Sequence, residues 1–168
     1  MYKWQQYETK IVRGDMATGE ILQVKDPESC LALFEQHAKE VEHESFWVMA
    51  FDHNNQCLGI QELYRGTVSG APIRLAEVLR LPVITQSTGI VVVHNHPTSN
   101  TAESNHDVAL TRDLYKACEL MDVELLDHLI VTGHEGVISL RKVLADTEEP
   151  IWDNQTEAEH RAIEEMFA

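Results

Sequence analysis

A chain of 168 residues with 43% hydrophobic content can bury one compact core and is too short for two full domains. Its formal charge of -15, from 28 acidic against 13 basic residues, repels phosphate backbones, so nucleic acid is a poor default partner. No apolar run approaches the length that spans a bilayer, the first residues lack a signal-peptide core, and Cys30, Cys57 and Cys118 form no C-x-x-C pair. The expectation is a cytoplasmic protein with no membrane partner and reduced thiols that do not ligate metal.

Tyr7 to Val12 alternates loosely, and a turn-like Gly14 to Gly19 leads into Ile21-Leu22-Gln23-Val24, which predicts a hairpin or two edge strands. Asp26-Pro27-Glu28 has the N-cap, proline and acidic first turn of a helix start, and Leu31, Leu33, Phe34, Ala38 and Val41 carry an apolar stripe to about Glu42. Phe46 to Phe51 and Cys57 to Gly66 are β-prone runs joined by the polar turn Asp52 to Gln56, predicting an antiparallel hairpin at the sheet centre. In its second arm Ile60, Glu62 and Tyr64 fall on one face, which would set the Glu62 carboxylate among apolar neighbours and raise its pKa. A solvated strand glutamate is the plainer alternative.

Pro72 to Leu81 has a weak helical pattern broken by Pro82, and Gly89 to Val93 reads as a buried strand that Pro97 ends. From Ser104 a helix is well signalled, with Leu110, Leu114, Ala117, Cys118 and Met121 on one face. Val123 to Thr132 and Val137 to Leu140 predict two more strands. The acidic connector Asp146 to Pro150 precedes a short helix whose Trp152, Ile163 and Phe167 suit partner docking as well as a solvated helix face. Strands alternating with helices indicate a three-layer α/β fold, a mixed sheet flanked by helices. The expected division is residues 1–44 packed on the core, a core over 45–145, and a linker and helix over 146–168.

The residues that carry chemistry follow Val91-Val92-Val93. His94 and His96 are spaced i, i+2, so their rings project to one side of the strand and converge, at what is read as a sheet edge. Asp107 follows at the start of the helical pattern. Two imidazoles and a carboxylate are three ligands of the kind catalytic zinc uses, with a fourth position left for water. Ser104 and Asp107 also fit a capping box, a role that can coexist with a metal role. His128, inside an apolar strand, reads as a satisfied core histidine or one that supports a ligand.

His94-Asn95-His96-Pro97 with Ser104 and Asp107 resembles the JAMM signature of the JAB/MPN domains, and Asn95 between the histidines resembles the RadC branch. Leu63-Tyr64-Arg65-Gly66-Thr67, Ala109-Leu110-Thr111 and Leu126-Asp127-His128-Leu129-Ile130-Val131 resemble it too, so that the similarity runs from about Ser45 to Leu144. The resemblance implies a cytidine-deaminase-like JAB/MPN fold, zinc on His94, His96 and Asp107, and Glu62 holding the reacting water. It also leads us to expect that this chain lacks the N-terminal helix-hairpin-helix region of longer RadC proteins.

No H-E-x-x-H for a zincin and no H-x-E with P-C-x-x-C for a nucleobase deaminase occurs. The resemblance implies the activity of a JAMM-type zinc metallopeptidase, hydrolysing a peptide or isopeptide amide, with Glu62 as general base and Ser104 bonded to the oxyanion. Its expected substrate is a peptide or protein with an extended tail, added as a strand to a sheet edge; a homodimer is left open. A metal-dependent nuclease or DNA-repair accessory, and a non-catalytic interaction domain, are the alternatives.

Overall fold

The computed structural model describes residues 43–66, 73–96, 104–132, 136–145, 147 and 151–152. The expected N-terminal strands and helix up to residue 42, the helix after Trp152, and Cys30, Pro97 and His134 lie outside the described residues. Five strands are seen, β1 (Ser45–Phe51), β2 (Cys57–Arg65), β3 (Gly89–His96), β4 (Glu124–Thr132) and β5 (Gly136–Ser139), with helices α1 (Leu75–Val78), α2 (Arg80–Thr85), α3 (Asn105–Leu120) and α4 (Leu140–Ala145). Strand order is β2-β1-β3-β4-β5, with β3 and β4 parallel and the other pairs antiparallel. A parallel pair needs a crossover, and α3 lies on it. The α/β class with a mixed sheet is as expected.

Every position of β1 is buried, which is why it reads as a continuous apolar run rather than an alternation. Phe46, Val48, Ile90 and Val92 form one core with Leu110, Leu114 and Cys118 of α3, Leu140 and Leu144 of α4, and Val78 of α1. Trp47, Met49, Phe51, Val91, Val93, Leu129 and Val131 form a second core on the other face. The described helices all contribute to the first face, and among the described residues no helix covers the second.

Three expectations are corrected. The β1–β2 hairpin is not central: β1 pairs with β3 on its other side, leaving β2 at the edge. Pro82 does not break the helical pattern but is the third residue of α2, where a backbone N–H has no partner to lose. Trp152 is not a docking group for a partner. It is buried against its own chain, donating Nε1–H to the Leu125 carbonyl at 2.9 Å, with Tyr115 edge-on at 5.8 Å and the Arg141 guanidinium 5.7 Å from its ring.

Two bulges decide which side chains meet. In β2 the register passes from Phe46 opposite Tyr64 to Trp47 opposite Glu62, so Leu63 is the extra residue. In β4 it passes from Ile90 opposite Leu125 to Val91 opposite Asp127, so Leu126 is the extra one. Gly89 makes room for it, since a Cβ there would lie 3.0 Å from Leu126 Cδ1. Leu125 faces the first core, and without the bulge His128 would fall on the opposite face. With it, His128 packs edge-on to Phe46 at 6.0 Å.

Candidate metal centre

His94 and His96 end β3, and Asp107 sits in the first turn of α3. The parity of the strand puts both rings on the helix-bearing face, where His94 stacks on Phe46 at 6.3 Å. His94 Nε2 lies 2.9 Å from His96 Nε2 and 3.4 Å from Asp107 Oδ1. One ligand atom from each of the three residues falls within 4.8 Å of the others. Tetrahedral zinc with bonds of about 2.0–2.1 Å sets its ligand atoms roughly 3.4 Å apart, so the donor set fits the ion in kind and in spacing. A cavity of about 260 Å³ opens over these atoms, lined by Glu44, His94, His96, Ser104 and Asp107 among others.

The centre stands at the carboxyl end of the central strand, not at the sheet edge that was expected. A peptide added outside β2 would run three strand spacings from β3, about 14 Å away. Strand addition at that edge does not deliver a carbonyl to the histidines.

Burial pushes the His94 pKa down to about 4, against the opposing pull of Asp107, which leaves a neutral imidazole at neutral pH. Burial lowers His128 as well. A neutral ring has the lone pair that a metal ligand requires.

The cap reading of Ser104 and Asp107 is realised, and Asp107 also belongs to the His94, His96 and Asp107 group that could hold a metal ion. Ser104 is the N-cap of α3; its Oγ accepts from Asp107 N at 3.2 Å, and Asp107 Oδ2 accepts from Ser104 N at 2.8 Å. The two oxygens of Asp107 thus divide the work, Oδ2 serving the cap and Oδ1 facing His94. The single hydroxyl proton of Ser104 goes to Asp107 Oδ2 at 2.6 Å, so in this arrangement it orients the Asp107 carboxylate rather than donating to an oxyanion as expected.

Glu62 is the site residue that the structure moves. Because of the Leu63 bulge it pairs with Trp47, on the opposite face of the sheet from His94, while Leu63 and Tyr64 pack on the first core. Its carboxylate accepts from Ser45 Oγ at 3.0 Å and from Arg65 at 2.9 Å. The Arg65 hydrogen bond lowers its pKa, where burial among apolar neighbours had been expected to raise it. Glu62 therefore neither shares a face with Tyr64 nor lies on the face of His94, His96 and Asp107.

Glu44, which sequence reasoning missed, lines the same cavity as the two histidines and Asp107. Phe46 is opposite His94 in the antiparallel β1–β3 pair, so the same register carried two residues on sets Glu44 across from His96, on the same face. The residue between the histidines fixes that position. Asn95 Oδ1 accepts from Ser45 N at 2.7 Å and Asn95 Nδ2 donates to the His43 carbonyl at 3.0 Å, so one side chain holds both peptide groups flanking Glu44. The available signal was the acidic residue immediately before the β-prone run.

A mixed sheet with two histidines at the end of its central strand and an aspartate on the following helix defines a JAB/MPN-type domain with a candidate metal centre. The chain belongs to the RadC-like JAB domain family, whose profile matches residues 24–145. It is similar to UPF0758 proteins of three bacteria. One, from Cupriavidus taiwanensis, is 38% identical over 109 residues, covering 65% of this chain and 48% of the relative. One from Cupriavidus necator is 40% identical over 93 residues, 55% of this chain and 41% of the relative. One from Roseiflexus castenholzii is 30% identical over 128 residues, 76% of this chain and 54% of the relative. The chain thus spans about half the length of these relatives. No described helix is long and apolar enough to cross a membrane.

Proposed function

We propose that this domain is a zinc-dependent hydrolase of peptide or isopeptide amide bonds. The observation that carries the reading is one cavity lined by His94, His96 and Asp107 together with a further carboxylate residue, Glu44. When bound by His94, His96 and Asp107, zinc would polarise the scissile carbonyl and make water a stronger acid. Glu44 is then the general base, accepting a proton from the attacking water and passing it to the leaving nitrogen. Ser104 keeps Asp107 Oδ1 turned toward His94 by occupying Oδ2. A slender extended tail suits a cavity at a strand end, and a charge of -15 favours a partner with a basic face, through steering that weakens as salt rises.

Extended peptide-amide and isopeptide substrates, and single- and double-stranded DNA, should be assayed with and without chelator on the wild type, Glu44→Gln and Glu62→Gln. The expected result is chelator-sensitive amide hydrolysis that falls on the order of 10²-fold or more in kcat in Glu44→Gln and persists in Glu62→Gln. Wild-type turnover in Glu44→Gln would remove the base assignment. Chelator-sensitive DNA cleavage without amide hydrolysis would favour the nuclease, and no hydrolysis of either substrate class would favour the interaction domain.

A further inference from the structure

Beneath the metal ligands a chain of hydrogen bonds runs from the backbone of α3 to the His94 ring. It begins at the Asp107 carbonyl, which can only accept. Thr111 Oγ1 gives its single proton to that oxygen at 2.7 Å. The 2.7 Å contact between Thr111 Oγ1 and His128 Nδ1 must therefore be donated by the imidazole, since Thr111 cannot donate twice. His128 is fully buried, and both of its ring nitrogens meet neutral groups, so it carries one proton, on Nδ1, and a lone pair on Nε2. His94 Nδ1 lies 2.9 Å from that lone pair and donates to it. His94 Nε2 is then without a proton, and it is the atom that faces His96 and Asp107.

We propose that Thr111 and His128 are positioning residues for the metal centre, a directional relay that locks His94 in the tautomer able to bind through Nε2. The proposal rests on the metal reading above. A neutral histidine in water favours a proton on Nε2, the form that cannot ligate through that atom, and a partner on the other nitrogen reverses the preference. Asp107 stands at both ends of the relay, because its carbonyl is the first acceptor and its Oδ1 lies 3.4 Å from His94 Nε2. The Leu126 bulge has a consequence here: it turns His128 onto the face where the relay can close.

Long-range nitrogen–proton NMR of the metal-free wild type at neutral pH should find both His94 and His128 protonated on Nδ1; a proton on Nε2 of either ring overturns the relay. Cobalt and zinc competition titrations then read its effect on the site. Thr111→Val and His128→Leu should weaken binding about 10- to 100-fold, the range for partners of ligating histidines. Thr111→Ser keeps the hydroxyl and His128→Gln keeps an acceptor for His94, so both should bind closer to the wild type. Equal affinity in wild type, Thr111→Val and His128→Leu overturns the relay and leaves the metal reading standing. No uptake of either ion by the wild type overturns the metal reading itself, whatever the tautomers. If His128→Leu fails to fold, the wild-type spectrum and Thr111→Val decide.

Discussion

Asn95 sits between two histidines of the centre yet acts on the strand beside it, through the peptide groups on either side of Glu44. Asn95→Ala should leave the three ligands in place and let Glu44 drift, and a displacement of about 1 Å at a catalytic group can cost on the order of 10²-fold. The expected outcome is unchanged metal content with kcat down tenfold or more; a kcat equal to the wild type contradicts it. Protonation gives a second prediction at this scale. The unfolded chain takes up a proton at His94 near its ordinary 6.5, whereas the folded chain does so only near 4, and His128 is shifted the same way. Over that window the unfolded state binds more protons, so stability is present above about pH 6.5 and is lost as pH falls toward 4. Asp127, whose carboxyl burial pushes up to about 6, acts with the opposite sign between about 4 and 6 and offsets part of the loss. The urea midpoint of metal-free protein should be lower at pH 4.5 than at pH 7, with a shallower drop in His128→Gln; parallel pH dependences in the two proteins contradict the assignment.

At the scale of elements, strand parity decides the site, and bulges decide parity. The pairing of His94 and His96 was legible in the sequence because i, i+2 spacing on an unbroken strand settles a shared face by itself. Glu62 was misread because an extra residue at Leu63, which no local signal marks, turns it to the far side. α3 was legible from its cap and its apolar stripe, whereas α4 was missed because it follows β5 without a break, and its cap, Ser139, whose Oγ accepts from Lys142 N at 3.1 Å, is also the last residue of the strand. The β4 bulge can be tested through Gly89. An added methyl would meet Leu126 Cδ1 at 3.0 Å and Cγ at 3.1 Å, too close without movement. Gly89→Ala should cost about 1–3 kcal/mol as overpacking. Leu126→Ala in the same chain should recover part of it, a coupling that a double-mutant cycle measures in urea. Strict additivity of the two changes contradicts the contact.

For the whole molecule, composition bounded the class and the order of strands lay beyond it. The apolar runs identified β1 and β3 as buried, but nothing in them says that β1 turns to β3 rather than standing at the centre with β2. Two apolar faces, long-range pairing and the return of Trp152 onto Leu125 are decided by packing between distant segments. The charge of -15 bears on partners and not on fold. The measurement that tests the central claim most directly is zinc per chain in purified protein. The account predicts about one equivalent in the wild type, the same in Glu44→Gln, and none in the His94→Ala, His96→Ala double variant, because two of three ligands are gone. Full occupancy in that double variant, or none in the wild type, would contradict it.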